Sequence, residues 1–238
     1  ISAVVLATNS SDDNIIQGCL IGTSGTGDNG NLKHGILLAN GASDNLIGGA
    51  TESARNVISG NGTPETETDE NDVTTAVNFG NGVHITGVGT SGNRIIGNYI
   101  GTDEAGVAAV GNAFSGVEIT GGATANFIGG SGEGEGNVIA GNGDPTDGCP
   151  TLCGNAMSSH YGNGVYLNGG TVSDNVIAGN DIGLATDGLA LRNKSSGVRV
   201  DLATRNTIGG TEDGAGNYVT GHASNVFLSG GIALVAAD

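Results

Sequence analysis

The sequence predicts an all-β chain wound as a β-solenoid, one domain over residues 1–238. Three observations predict it. Three short phrases recur in fixed order: Gly-Val-x-Ile, then Asn-x-Ile, then Asn-x-Ile-x-Gly. Together they make a unit of about 33 residues, within the range of known solenoid periods. No unit carries a helical spacing of apolar residues, so each phrase makes one face of a coil. Composition points the same way. Gly is 47 residues, Pro only 3, aromatics 3% and Trp absent. A conventional core would be hard to build from these residues, whereas stacked coils build a narrow aliphatic one.

The first phrase starts at Ala3, Gly35, Gly82, Gly116, Gly164, Gly197 and Gly231. Strand side chains alternate, so its second and fourth residues face inward. These give the columns Val4, Ile36, Val83, Val117, Val165, Val198, Ile232 and Leu6, Leu38, Ile85, Ile119, Leu167, Val200, Leu234. The second phrase starts at Asn14, Asn45, Asn93, Asn126, Asn175 and Asn206, and places Ile16, Ile47, Ile95, Ile128, Ile177 and Ile208 inside. The third starts at Cys19, Asn56, Asn98, Asn137, Asn180 and Asn217, and places Ile21, Ile58, Ile100, Ile139, Ile182 and Val219 inside. Stacked parallel strands favour such β-branched, aliphatic columns. The phrase-opening asparagines stack into ladders, each amide bonding the next coil, and glycines take the corners. The count gives about six to seven coils. Coils alternate in kind, so like coils recur two apart: Asn45 and Asn126 are 81 residues apart.

Phrases such as GNVIAGN, NRIIGNYIGTDEAG and GVEITGGATANFIGG resemble the secreted parallel β-helix repeat proteins of bacteria and archaea, within the pectate-lyase-like superfamily. The resemblance covers essentially the whole chain. It implies a right-handed, three-faced parallel β-helix, in keeping with the handedness of parallel crossovers. It implies an extracellular or cell-surface location. It does not select an activity, because that superfamily holds lyases, hydrolases, epimerases, adhesins and spacers.

The net charge of −17, with seven Lys and Arg in all, supplies no basic footprint for nucleic acid or anionic membranes. No stretch approaches the roughly 18 apolar residues of a membrane span. Two insertions interrupt the rhythm, at 62–80 and 143–161. The first holds Asp69, Glu70 and Asp72, oxygen ligands of the kind calcium takes, without the spacing of an EF-hand. No cofactor is required by any motif. The second holds Cys149 and Cys153, which read as a local disulfide, with a metal pair as the alternative. Cys19 stands at a ladder position and is expected as a buried free thiol.

The outward columns of the first phrase carry the candidate chemistry. They read Val5, Leu37, His84, Glu118, Tyr166, Arg199, Ala233 and Ala7, Ala39, Thr86, Thr120, Asn168, Asp201, Val235. His84, Glu118 and Asp201 are the candidate general acid and base. Tyr166, Arg199 and Asn168 are the candidate ligand contacts, by stacking, carboxylate binding and hydrogen bonding. The competing reading of this face is an ordinary solvated sheet surface. The second phrase presents an outward column of Ile15, Leu46, Arg94, Phe127, Val176 and Thr207, either a subunit contact or a surface beneath loops.

Two functions follow as expectations. One is an extracellular or cell-surface structural repeat protein, self-associating end to end into filaments or laterally. The alternative is a polysaccharide-active enzyme, lyase or glycoside hydrolase, or a carbohydrate-binding module, working on the first-phrase face.

Overall fold

The computed structural model describes residues 2–22, 30–62, 66–68, 74–76, 80–143, 162–220 and 231–235. Within these residues the chain is a three-faced, right-handed parallel β-helix. The first sheet has seven strands: Val4–Leu6, Ile36–Ala39, Val83–Thr86, Val117–Thr120, Val165–Asn168, Val198–Asp201 and Ile232–Val235. The other two sheets have six strands each, from the second and third phrases. The helical content among the described residues is one 3-10 turn, Glu52–Ala54. The short strands Thr66–Thr68 and Thr74–Ala76 pair antiparallel within the first insertion.

The register runs in step from coil to coil. Val4 pairs Ile36, Ile36 pairs Val83, Val117 pairs Val83 and Val165, and Val198 pairs Val165 and Ile232. The inward columns form one continuous core, and most of its central members are fully buried. Parallel strands buried on their inner face need this unbroken aliphatic lining.

Three asparagine ladders, not two, hold the corners. The first runs Asn14, Asn45, Asn93, Asn126, Asn175, Asn206. The second runs Asn56, Asn98, Asn137, Asn180, Asn217. The third, Asn31, Asn61, Asn112, Asn142, Asn193, closes the corner before the first sheet. In each, one Nδ2–H donates to the next coil's Oδ1; Asn45 to Asn93 is 2.8 Å and Asn126 to Asn175 is 3.1 Å. The same Oδ1 accepts the backbone N–H of the preceding coil's asparagine, and the spare Nδ2–H reaches a backbone carbonyl. Amides that are fully buried are thereby fully partnered, which is the condition for burying them.

Cys19 departs from expectation. Its N–H donates to Asn56 Oδ1 at 3.0 Å, so it keeps the ladder's backbone position. Its thiol is exposed, not buried, and donates to the Gln17 carbonyl. The coil carrying Asn56 covers one side of it.

The residue before each first-ladder asparagine turns left-handed. Asp44, Gly92, Ala125 and Asp174 have φ of 55°, 68°, 54° and 60°. Ala125 bears a Cβ in a region that disfavours one. Corners elsewhere admit only glycine: at Gly129, with φ 81°, a methyl group would stand 2.1 Å from the Ala178 carbonyl oxygen. Like loops stack two coils apart, as expected from the alternation; Ser131 Oγ and Glu212 Oε2, 81 residues apart, are 3.3 Å from each other.

Asn126→Ala strands ladder partners on both sides and should cost about 3 kcal/mol, whereas Asn14→Ala at the exposed first coil should cost less than about 1 kcal/mol. Ala125→Gly relieves the left-handed strain and should stabilise by up to about 1 kcal/mol. Urea unfolding of the three variants checks these values.

Candidate functional site

The predicted outward column of the first sheet forms as drawn: Leu37 pairs His84, His84 pairs Glu118, Glu118 pairs Tyr166, Tyr166 pairs Arg199 and Arg199 pairs Ala233. It is not a solvated face in its middle. Tyr166 is 1% exposed, Arg199 2% and Asp201 7%. His84 and Glu118 are mostly covered, with side chains 18% and 13% exposed.

The residues divide into two adjoining groups. Tyr166, Arg199 and Asp201 make the first. Arg199 Nε donates to Asp201 Oδ2 at 2.9 Å, and the Tyr166 hydroxyl donates to the same oxygen at 3.1 Å. Burial, then the neighbouring Asp201 carboxylate, pushes the Tyr166 phenol above its ordinary range. This group balances its own charge. Asn168 lies beside Asp201 in register and is half-buried.

His84 and Glu118 make the second group, and the structure adds His34, Asn81 and Thr120 to it. Asn81 Oδ1 accepts the Ser115 N–H at 2.9 Å. That bond fixes the amide, so its Nδ2–H points to Glu118 Oε2 and donates to it. The Asn81 N–H donates to His34 Nδ1 at 3.2 Å. His34 Nε2 lies 3.1 Å from His84 Nδ1, and His84 Nε2 lies 3.0 Å from Thr120 Oγ1. His84 Nε2 stands 3.7 Å from Glu118 Oε2.

Burial sets the charge states. It raises Glu118 to about 7, against which the Asn81 hydrogen bond pulls only partly. It lowers His84 to about 3, helped by His34, and His34 to about 4, helped by Lys33. The His84–Glu118 approach is therefore a contact of neutral groups at acidic to neutral pH, and no ion pair forms there.

His34 and Asn81 are absent from the sequence-predicted columns. They belong to a corner column immediately before the first sheet: His34, Asn81, Ser115, Asn163, Ser196. Carbonyls of this column accept from the preceding coil, as Asn81 does from Gly35 and Ser115 from Gly82. A histidine where other coils carry Asn or Ser was the available signal. Asp69, Glu70, Asp72, Cys149 and Cys153 lie outside the described residues. Among the described residues no group of three or more His, Cys, Asp or Glu side chains is placed to hold a metal. Glu118 and Asp201 are two strands and two residues apart, roughly 12 Å between Cα atoms by strand geometry.

No protein-family model, no curated protein and no solved structure matches this chain. The site must be read from its own chemistry.

On the second sheet, an open groove of about 570 Å³ lies over Arg94, Phe127, Val176 and Thr207. Two stacked Gly-rich loops, carrying Glu135 and Glu212, wall it. Phe127 is 39% exposed there, and Arg94 pairs with Glu135 at 2.8 Å.

The three shifted groups act on stability in opposite senses. Glu118, raised in the fold, contributes stability that is present below its unfolded value and lost as pH rises through about 7. That term is about 3 kcal/mol. The histidines, lowered in the fold, contribute stability present above their unfolded value of 6.5 and lost as pH falls through about 4 and about 3. Between pH 4.5 and 6.5 the two histidines outnumber Glu118, so the contribution of this cluster to stability falls on acidification. Glu118→Gln removes the opposing term and should steepen that fall. Chemical denaturation across pH 4.5–7.5 measures it.

Proposed function

We propose that the outer face of the first sheet is an acid–base site acting on polysaccharide, with Glu118 as its proton-transferring group. One observation carries the reading: a mostly buried carboxyl, raised to about 7, beside a neutral imidazole N–H. A general acid works best with a value near the operating pH. Perturbed groups of this kind concentrate at functional sites. A spacer surface has no need of them.

The substrate class comes from the resemblance to secreted parallel β-helix proteins of the pectate-lyase-like superfamily, and with it the extracellular or cell-surface location. Hydrolysis is favoured over lyase chemistry. A lyase needs unengaged basic residues, and Arg199 is tied to Asp201 while Arg205 is tied to Asp174. In hydrolysis Glu118 gives its proton to the leaving glycosidic oxygen as the C–O bond breaks, and a water oxygen bonds to the anomeric carbon, its released proton returning to the Glu118 carboxylate. The Tyr166–Asp201–Arg199 group supports the adjoining coil; no face of Tyr166 or Arg199 is open to a sugar in this conformation.

A second reading, a self-associating structural protein, is favoured by the second-sheet groove, where Phe127 and Val176 offer an apolar surface to a neighbouring copy. Calcium and the paired cysteines remain proposals attached to the two insertions.

Reducing-end release from a panel of neutral and acidic polysaccharides tests the first reading. Wild-type chain should release sugar with a rate that falls above about pH 7, and Glu118→Gln should lose at least about 100-fold. No release and no binding on the whole panel would sink it. Sedimentation of the same chain, and of Phe127→Glu, tests the second: a wild-type oligomer dissociated by Phe127→Glu supports it, and a monomer throughout removes it.

A further inference from the structure

We propose that His34 is a positioning residue that locks His84 into its Nε2–H tautomer, so that His84 serves as a neutral hydrogen-bond donor and Glu118 is the one proton carrier of this group. The proposal rests on reading Glu118 as the working carboxyl.

Donors and acceptors fix the two tautomers in turn. A backbone N–H can only donate, and the Asn81 N–H points at His34 Nδ1. His34 Nδ1 is therefore an acceptor, and the ring's proton sits on Nε2. His34 Nε2–H then donates to His84 Nδ1. That makes His84 Nδ1 an acceptor and places its proton on Nε2. His84 Nε2–H donates to Thr120 Oγ1, and the Thr120 hydroxyl passes its own hydrogen to Thr86 Oγ1 at 3.0 Å. Each member has one arrangement open to it, and the start of the chain is a peptide group that cannot be reversed.

The arrangement also excludes proton uptake. A proton added to His34 Nδ1 would face the Asn81 N–H, and one added to His84 Nδ1 would face the His34 Nε2–H. The rings pack with centroids 4.5 Å apart. Among the described residues, His34, Thr120 and Glu118 face His84, with Lys33 bearing on His34. The low values of both histidines agree with this geometry. Glu118 Oε2, by contrast, accepts from Asn81 Nδ2, which leaves Oε1 as the oxygen to carry the carboxyl proton. Asn81 thus orders both halves of the group, holding His34 with its N–H and Glu118 with its side chain.

The corner column supplies a clean variant. Serine stands at this corner in other coils, as Ser115 and Ser196. His34→Ser therefore suits the corner and removes the donor to His84, whereas an asparagine there would turn its Nδ2–H toward His84 as Asn81 does toward Glu118. The experiment is long-range 1H–15N correlation on the full chain labelled at histidine, with His34→Ser and His84→Asn used for assignment. Wild-type chain at pH 7 should show His34 and His84 each as a single Nε2–H tautomer, neither titrating down to pH 5. In folded His34→Ser, His84 should show both tautomers and titrate at least one pH unit higher than in the wild type. A wild-type Nδ1–H signal from either ring overturns the proposal, and so does a His84 in His34→Ser that stays wholly Nε2–H. Should His34→Ser not fold, the wild-type tautomers alone decide. A chain inert toward every polysaccharide but showing the locked pair overturns the proposed activity and supports the positioning role.

Discussion

Coil-to-coil amide stacking is the constraint on which the rest depends. An asparagine at each of three corners must meet the Oδ1 of the next coil, and its own Oδ1 must receive the coil before. A slip of one residue would leave these buried amides unpaired at about 1–3 kcal/mol each. It would also turn every apolar side chain outward. Three ladders together therefore fix rotation and register around the whole coil. Insertions can leave the corner before the first sheet without disturbing that register, because their ends close on themselves: a methyl group on Gly80 would stand 2.1 Å from Gly62 Cα.

Fixed register has a chemical consequence on the outer face. Neighbours in an outward column are held about 5 Å apart whatever their charge. Where a cation and an anion fall within reach and burial is deep, they pair, as Arg199 and Asp201 do. Where a carboxyl falls beside imidazoles, no permanent countercharge is available. Each group then moves toward neutrality, Glu118 upward and His34 and His84 downward. The same scaffold thus yields a buried ionic support and, two coils away, a carboxyl that can exchange a proton near neutral pH.

The columns were legible because period-two alternation and a repeated phrase determine direction and stacking order. His84, Glu118, Tyr166, Arg199 and Asp201 fall into the register expected of them. Burial was not legible. Alternation says that a side chain points away from the core, not whether it then meets water, and Tyr166 and Arg199 point outward into a covered site. His34 and Asn81 were missed because they sit at a corner, before the strand begins, where no alternation applies. The third ladder was missed for the same reason: Asn61, Asn112 and Asn142 follow glycine at coil ends and not at phrase starts. A ladder position does not by itself imply burial: Cys19 holds one with its thiol exposed.

A scaffold built for stacking raises the Glu118 carboxyl into the range of a working acid. Titration of its side-chain carboxyl carbon by 13C NMR, assigned with Glu118→Gln, tests it most directly. The expected midpoint is near 7. A midpoint at the ordinary value of about 4.5 would mean that water and counter-charges reach the group freely, and would contradict it.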